Sequence, residues 1–512
     1  MKNLLTWFTL VLICSCKSFD SKAKKDINPE KYAQTITAQE LKTHLYIYAS
    51  NEFEGRDTGS PGQKKAIAYI KKEYQDNNIP GGLPDQSYFQ EVPLENQKVS
   101  ISKINFEGKT YENFKTQVVL ETSKSITIND KAFVYANYGI EDEKYSDYKN
   151  IEVKDKIVLI RTGEPKMNGL YITTGKNEET KWTNFSEGIE RKIKVAMGKG
   201  AKAVLIIDPN LFDKYASYYK EMFENNIQGR LTLSKNIENI PVLMVNKTLG
   251  DKLTASLSDK TASSVITKPI EISIINNSEV LSENVLAFIK GSEKPEEIII
   301  ISSHLDHVGV RNGEIYNGAD DDGSGTVALL EIAEAFSKAK KDGYSPKRSI
   351  LFLHVTGEEK GLLGSQYYSD INPIFPLEQT IANLNIDMIG RTDPKRTTGD
   401  RNYIYLIGSD KLSTELHNLS ENINKKCCNI ELDYKYNDEN DPNRFYYRSD
   451  HYNFAKNNIP VIFYFNGTHE DYHQPTDTPD KIEYDLLENR AKLIFYTAWE
   501  LANRDKKIEV DQ

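Results

Sequence analysis

The side chains able to do chemistry in this 512-residue sequence gather between His304 and Thr478. Ile298-Ile299-Ile300-Ile301-Ser302-Ser303 runs into His304-Leu305-Asp306, which sets an imidazole at the end of an apolar strand with a carboxylate two residues on. A metal-bound histidine needs an acceptor for its other ring nitrogen, and Asp306 can serve there or support the site less directly. Asn317-Gly318-Ala319-Asp320-Asp321-Asp322-Gly323-Ser324-Gly325 follows, just before a helix expected from Thr326. Adjacent carboxylates repel, so such a run is either well solvated or holds a cation. Its glycines permit a tight turn, and the helix N-terminus behind it favours negative charge. In Gly357-Glu358-Glu359, neighbouring side chains diverge, so one carboxylate can bind metal while the other takes a proton from activated water.

Asp387 ends another apolar run, Ala382 to Ile386, where an unpaired carboxylate would be costly. Asp471-Tyr472-His473-Gln474-Pro475-Thr476-Asp477-Thr478 adds a second histidine able to coordinate and a tyrosine able to donate to an oxyanion, with His469 competing for the ligand role. His307, His354, His417 and His451 read as packing or outer-sphere residues, and His44 as part of an outer helix. Each feature has an ordinary reading as a solvated polar group. Their joint occurrence at successive strand ends is the chemistry of two zinc ions sharing a bridging carboxylate.

Such a site needs a frame. Apolar runs at Val285 to Ile289, Ile298 to Ile301, Ile350 to Val355, Ile381 to Ile386, Tyr403 to Ile407 and Pro460 to Phe465 predict buried strands, most separated by helical stretches such as Thr326 to Ala339. That is an α/β pattern with a parallel or mixed sheet, whose ligands bind beyond the strands' carboxyl ends. The chain enters through a helix–loop–helix, Gln39 to Ala49 and Lys64 to Asn77 around the glycine-rich segment Glu54 to Gly62. Between Gln117 and Ile275 the texture changes to alternating strands with a helix from Glu190 to Gly198 and no dense set of catalytic residue types, which reads as an insertion.

Composition is globular, with 38% hydrophobic and 27% charged residues. The net charge of -10 comes without a basic block, which excludes nucleic acid as an expected partner. Lys2, the short apolar run Leu4 to Ile13, and Ile13-Cys14-Ser15-Cys16, which resembles a bacterial lipobox, predict an exported cell-envelope lipoprotein anchored to the membrane at Cys16. The run is too short to span a bilayer, which takes about 20 residues. Cys427 and Cys428 then remain, expected as two thiols.

His304-Leu305-Asp306, Gly318 to Gly325, Gly357-Glu358-Glu359, Asn385-Ile386-Asp387 and Tyr472-His473 together resemble the co-catalytic di-zinc aminopeptidases related to glutamate carboxypeptidase II, the transferrin receptor and glutaminyl cyclase. Asn137-Tyr138-Gly139-Ile140, Lys154 to Ile160 and Lys199 to Ala203 resemble a protease-associated domain. The resemblance implies a three-layer zinc-exopeptidase fold, a mixed central sheet covered by helices, with a mainly-β protease-associated insert. The expected division is 1–16 signal peptide, 17–30 tether, 31–116 first catalytic part, 117–275 insert, 276–506 main catalytic part and 507–512 tail.

By position, the resemblance implies that Asp321 bridges two zinc ions, His304 and Asp387 hold one, and Glu359 and His473 the other. Glu358 becomes the general base, Asp306 supports the first site, Tyr472 polarises the tetrahedral intermediate, and Arg448 reaches toward a peptide substrate. The expected activity is removal of N-terminal residues. A carboxypeptidase or dipeptidase could use the same site, but no basic cluster in the sequence reads as a pocket for a C-terminal carboxylate. The complete set of ligands and base argues against single-zinc glutaminyl cyclase chemistry and against a receptor-like binding protein.

Overall fold

The structure, a computed structural model, describes residues 28–96, 98–225, 229–234 and 239–511. Cys16 and the expected signal peptide lie outside them. The apolar runs form the middle of a nine-stranded mixed sheet. Its strands in chain order are β1 (Phe89–Asn96), β2 (Leu231–Leu233), β3 (Glu279–Ile289), β4 (Lys294–His304), β5 (Arg348–Val355), β6 (Thr380–Ile386), β7 (Tyr403–Ile407), β8 (Glu431–Asp433) and β9 (Val461–Phe465). Across the sheet they lie in the order β2-β1-β3-β5-β4-β6-β9-β7-β8. β5, β4, β6 and β9 are parallel, so their carboxyl ends open on one edge, while β3 and β7 flank them antiparallel.

Burial on both faces explains the unbroken apolar runs. Ile299 and Ile301 of β4 pack with Ile350, Phe352 and Leu384 beneath helices α1 (Ala38–Tyr48), α2 (Pro61–Asp76), α3 (Gly325–Lys341), α4 (Thr414–Cys427) and α5 (Tyr484–Asn503). Ile298 and Ile300 point the other way, against Leu351, Leu353, Tyr368 and Phe454. Each such side chain contributes about 1.5–3 kcal/mol by burial. The expected three-layer α/β architecture is therefore present. α2 starts earlier than its apolar spacing indicates, because the Ser60 side chain accepts from the Gln63 N–H and Pro61 occupies the first helical position.

Among the described residues the insert has a two-stranded hairpin, Lys166–Met167 with Leu170–Tyr171, and two larger sheets. One is six-stranded, built from Gln117–Glu121, Phe133–Tyr135, Ile157–Arg161, Ala203–Ile207, Val242–Val245 and Ser264–Ile266; the other is four-stranded. In the four-stranded sheet Ile101–Phe106, which precedes the expected boundary at 117, pairs antiparallel with Ile270–Ile275, so the strands leading into and out of the insert are partners. The chain leaves the main sheet after Asn96, whose N–H donates to Ser278 O at 2.6 Å. The insert also sends β2 back to pair with β1 on the main sheet's edge.

Two further expectations change. Residues 507–511 are not a loose tail, since Ile508 is buried and Asp511 Oδ1 accepts the Thr414 N–H at 2.8 Å, placing a carboxylate at the N-terminus of α4. Cys427 and Cys428, expected as thiols, are joined in a vicinal disulfide.

Candidate metal centre

The parallel strands deliver their reactive residues to one place. His304 is the last residue of β4, Asp387 follows β6, Glu358 and Glu359 follow β5, and His473 lies in the loop after β9. Asp321 reaches in from the turn between β4 and α3, where its peptide bond to Asp322 is cis. His304 Nε2 stands 3.2 Å from Asp321 Oδ1 and 3.6 Å from Asp387 Oδ1. His473 Nε2 stands 3.0 Å from Asp321 Oδ2 and 3.2 Å from Glu359 Oε1. The two oxygens of Asp321 therefore face different clusters. Tetrahedral zinc with bonds of about 2.0–2.1 Å sets its ligand atoms about 3.3 Å apart, so both clusters have the spacing and the His/carboxylate donor set that zinc requires.

The charges respond accordingly. Burial alone would depress His304, but Glu358, Asp321 and Asp387 carry it well above the usual imidazole range. Burial likewise opposes ionisation of Asp321, yet His304, His307 and His473 hold its carboxyl well below normal. His473 is desolvated, but Asp321 and Glu359 raise it to about 10, while Glu359, despite burial and the charge of Asp321, is drawn down to about 2 by His307 and His473. Glu358 moves oppositely: burial, with Asp387, Asp450 and Glu359 nearby, pushes it well up against the pull of His304. A carboxyl poised upward beside ligands held ionised fits a proton carrier.

The three consecutive aspartates divide the work. Asp322 Oδ2 accepts the His304 N–H at 3.2 Å, and its Oδ1 accepts those of Gly325 and Met388 at 2.9 and 3.1 Å, tying together β4, α3 and the end of β6. Asp320 accepts the Gly390 N–H at 2.7 Å and faces His469 Nε2 at 3.1 Å. His469, the competitor for the ligand role, is thus engaged by Asp320, not by Asp321. Asp477, Ser449 and Asn385 also hold the site: Asp477 Oδ2 accepts the Asp321 N–H at 3.2 Å, and Ser449 donates to Asp387 Oδ2 at 2.6 Å while accepting from Asn385 at 2.9 Å.

Asp306 takes the less direct route. The acceptor facing His304 Nδ1 at 3.0 Å is the Asp306 backbone carbonyl. Its carboxylate accepts the Glu358 N–H at 3.1 Å and the Thr58 hydroxyl at 2.8 Å. It thereby fixes the backbone of the proposed base. His354 and His451 are buried among packing partners, and burial lowers each to about 3. His417 meets Ser409 Oγ at 3.0 Å. Of the two roles expected for His307, packing or outer-sphere, its position excludes simple packing, with Nδ1 2.8 Å from Glu359 Oε1.

Sequence reasoning gave Arg56 no role, although it lies in the glycine-rich segment. Its buried guanidinium donates to Asn317 O at 2.7 Å and Gly318 O at 2.9 Å, bracing the turn that presents Asp321. Gly55 beside it has φ 64°, and a Cβ there would lie 2.4 Å from Tyr316 O. Arg56→Ala would leave buried carbonyls unpaired and should cost about 1–3 kcal/mol of stability with weaker zinc binding. Urea unfolding and zinc titration check this, and an unchanged midpoint would contradict it.

An open cleft of about 990 Å³ runs up to Glu358, Glu359, Tyr472 and His473. Arg448 lines it, with Nη2 3.5 Å from Tyr472 Oη, together with Lys98 and Arg230. These cations come from segments far apart in sequence, which is why no basic cluster was visible there. Beside the cleft lies a small recess walled by Met388, Phe445, Phe463 and Phe465, with Asp321, Glu358 and Asp387 in its lining.

Residues 284–498 match the family model of peptidase family M28, and residues 116–253 that of the PA domain. The chain thus contains a peptidase family M28 region and a PA domain. Aminopeptidase YwaD of Bacillus subtilis is 26% identical over 333 residues, covering 62% of this chain and 60% of the relative. Carboxypeptidase Q of Xenopus laevis is 26% identical over 345 residues, covering 65% and 61%. The chain's matches thus span about three fifths of the length of these two relatives. An aminopeptidase structure from Aneurinibacillus sp. strain AM-1 is similar at 20% identity with a TM-score of 0.45, covering 95% of this chain and 98% of that one.

Proposed function

We propose that this chain is a zinc-dependent exopeptidase that removes N-terminal residues from peptides with two zinc ions at the site. The observation that carries the reading is the junction of two ligand clusters sharing Asp321 with an apolar recess beside an open cleft. The recess suits an apolar N-terminal side chain. Glu358 and Asp387 at its wall suit the α-ammonium, and the cleft takes the rest of the peptide. The aminopeptidases among the relatives support the same reading.

His304 and Asp387 would hold one ion and Glu359 and His473 the other, with Asp321 between them. Zinc there supplies a Lewis acid that acidifies water and polarises the scissile carbonyl. Glu358 accepts the proton of the attacking water and delivers it to the leaving amine nitrogen. Tyr472 Oη donates to the oxygen on which charge develops, with Arg448 close enough to keep that hydroxyl aimed.

Digesting a library of free-N-terminus peptides, with and without chelator, tests the reading by mass spectrometry. Stepwise loss of apolar N-terminal residues is expected, abolished by chelator and by N-acetylation. A second reading, carboxypeptidase or dipeptidase, is favoured by Lys98, Arg230 and Arg448, which could receive a substrate carboxylate. Shortening from the carboxyl end would select it.

A further inference from the structure

His307 is fully buried, three residues beyond His304, and its ring is locked in place. The His307 backbone N–H donates to Arg56 O at 3.2 Å, and Gly318, with φ 55°, leaves no room for a Cβ, which would stand 2.5 Å from His307 Cδ2. Nδ1 lies 2.8 Å from Glu359 Oε1 and 3.7 Å from Asp321 Oδ2. At 2.8 Å an aligned N–H···O contact would be a strong hydrogen bond. Yet neither ring nitrogen of His307, nor Glu359 Oε1, makes one.

Close approach without hydrogen-bond alignment is what results when lone pairs converge on a common point between the atoms. His304 Nε2 has the same character: it lies 3.2 Å from Asp321 Oδ1 and 3.6 Å from Asp387 Oδ1, and is likewise without a hydrogen bond. One ligand atom each from His307, Asp321 and Glu359 lies within 4.8 Å of the others. His473 Nε2 meets the same two carboxylates at 3.0 and 3.2 Å. The rings of His307 and His473 are inclined at 70° with centroids 5.7 Å apart, so they approach the carboxylates from different sides.

We propose that His307 Nδ1 is a further protein ligand of the second zinc ion, completing a set with Asp321, Glu359 and His473. The proposal rests on the two-zinc reading and goes beyond its ligand set. The second ion then has four protein ligands where the first has His304, Asp321 and Asp387. Stepwise chelation should therefore remove the first ion before the second.

Zinc per chain and both affinities can be measured by competition with a chelator in wild type, His307→Ala and His307→Asn. Cobalt substitution reports the geometry of each site through its visible absorption. Loss of an outer partner typically weakens metal binding about 10–100-fold. For His307→Ala the second-site affinity should fall by at least about 100-fold, with the cobalt spectrum of that site altered and the first site little changed. Asn, whose side-chain oxygen can stand near the Nδ1 position, should restore part of the affinity. Unfolding in excess chelator checks the variants' folds without bound metal, and Asn carries the test should Ala not fold. Two zinc ions in the wild type but unchanged affinities and spectra in the folded variants would overturn the His307 role alone. A single zinc ion in the wild type would overturn the two-zinc reading, and the proposal with it.

Discussion

Glu358→Gln should lower kcat by about 10²–10⁴-fold while leaving the zinc content and unfolding midpoint at wild-type values. The substitution keeps the side chain's shape and removes only its capacity to take a proton. The backbone N–H that Asp306 holds at 3.1 Å is retained, so the loop stays fixed. Glu359, the neighbouring proposed ligand, is untouched, and KM should change little. Glu359→Gln should behave differently: it removes a charge facing His473 at 3.2 Å, so its loss of activity should come with loss of metal. Turnover of Glu358→Gln equal to wild type, at equal zinc content, would remove Glu358 from the proton path.

Much of this site was legible because each residue follows or ends a strand whose apolar run is unmistakable. Period-independent burial marks β4, β5, β6 and β9, and the carboxyl-edge rule then locates the chemistry. What the residue types alone could not resolve, and only the family resemblance suggested, is the division of labour within runs of one residue type. Asp320, Asp321 and Asp322 are identical in kind, and all are buried. Only the fold turns Asp320 to Gly390 and His469, Asp322 to β4 and α3, and leaves Asp321 between the histidines. Arg56 was illegible for a related reason: the acceptors through which it braces the Asp321 turn are backbone carbonyls more than 250 residues away, which carry no side-chain signature. His307 had a local signal, its three-residue spacing from His304, but that spacing separates ligand from packing residue only once the chain beyond β4 is folded.

The insert's relation to the site was hidden as well. Its middle strands have their own cores, distinct from that of the main sheet. Yet β2 joins the main sheet's edge and places Arg230 against Gly361, just beyond the Glu358-Glu359 turn. A short strand such as Leu231–Leu233 gives almost no periodic signal, so its pairing with β1 is readable only in three dimensions. Through that pairing the insert supplies one wall of the cleft and so has a physical means of restricting what reaches Glu358.

Asp321→Ala should be the most damaging single change, reducing activity by more than about 10⁴-fold and leaving at most traces of zinc. The two carboxylate oxygens serve different clusters, Oδ1 toward His304 at 3.2 Å and Oδ2 toward His473 at 3.0 Å, so one truncation removes a ligand from both. Asp387→Asn alters only the cluster around His304, and should retain about one zinc ion per chain by metal analysis. Asp321→Asn should fall between them, since a carboxamide offers an oxygen to one cluster and an NH2 donor to the other. The same order should appear in the stabilisation that zinc confers against unfolding, because a ligand that binds only the folded chain stabilises it by RT times the logarithm of one plus the ratio of free ligand to Kd, which grows as binding tightens. Two retained zinc ions in Asp321→Ala would deny the bridging role, whatever its activity, and one retained ion would place Asp321 in a single cluster.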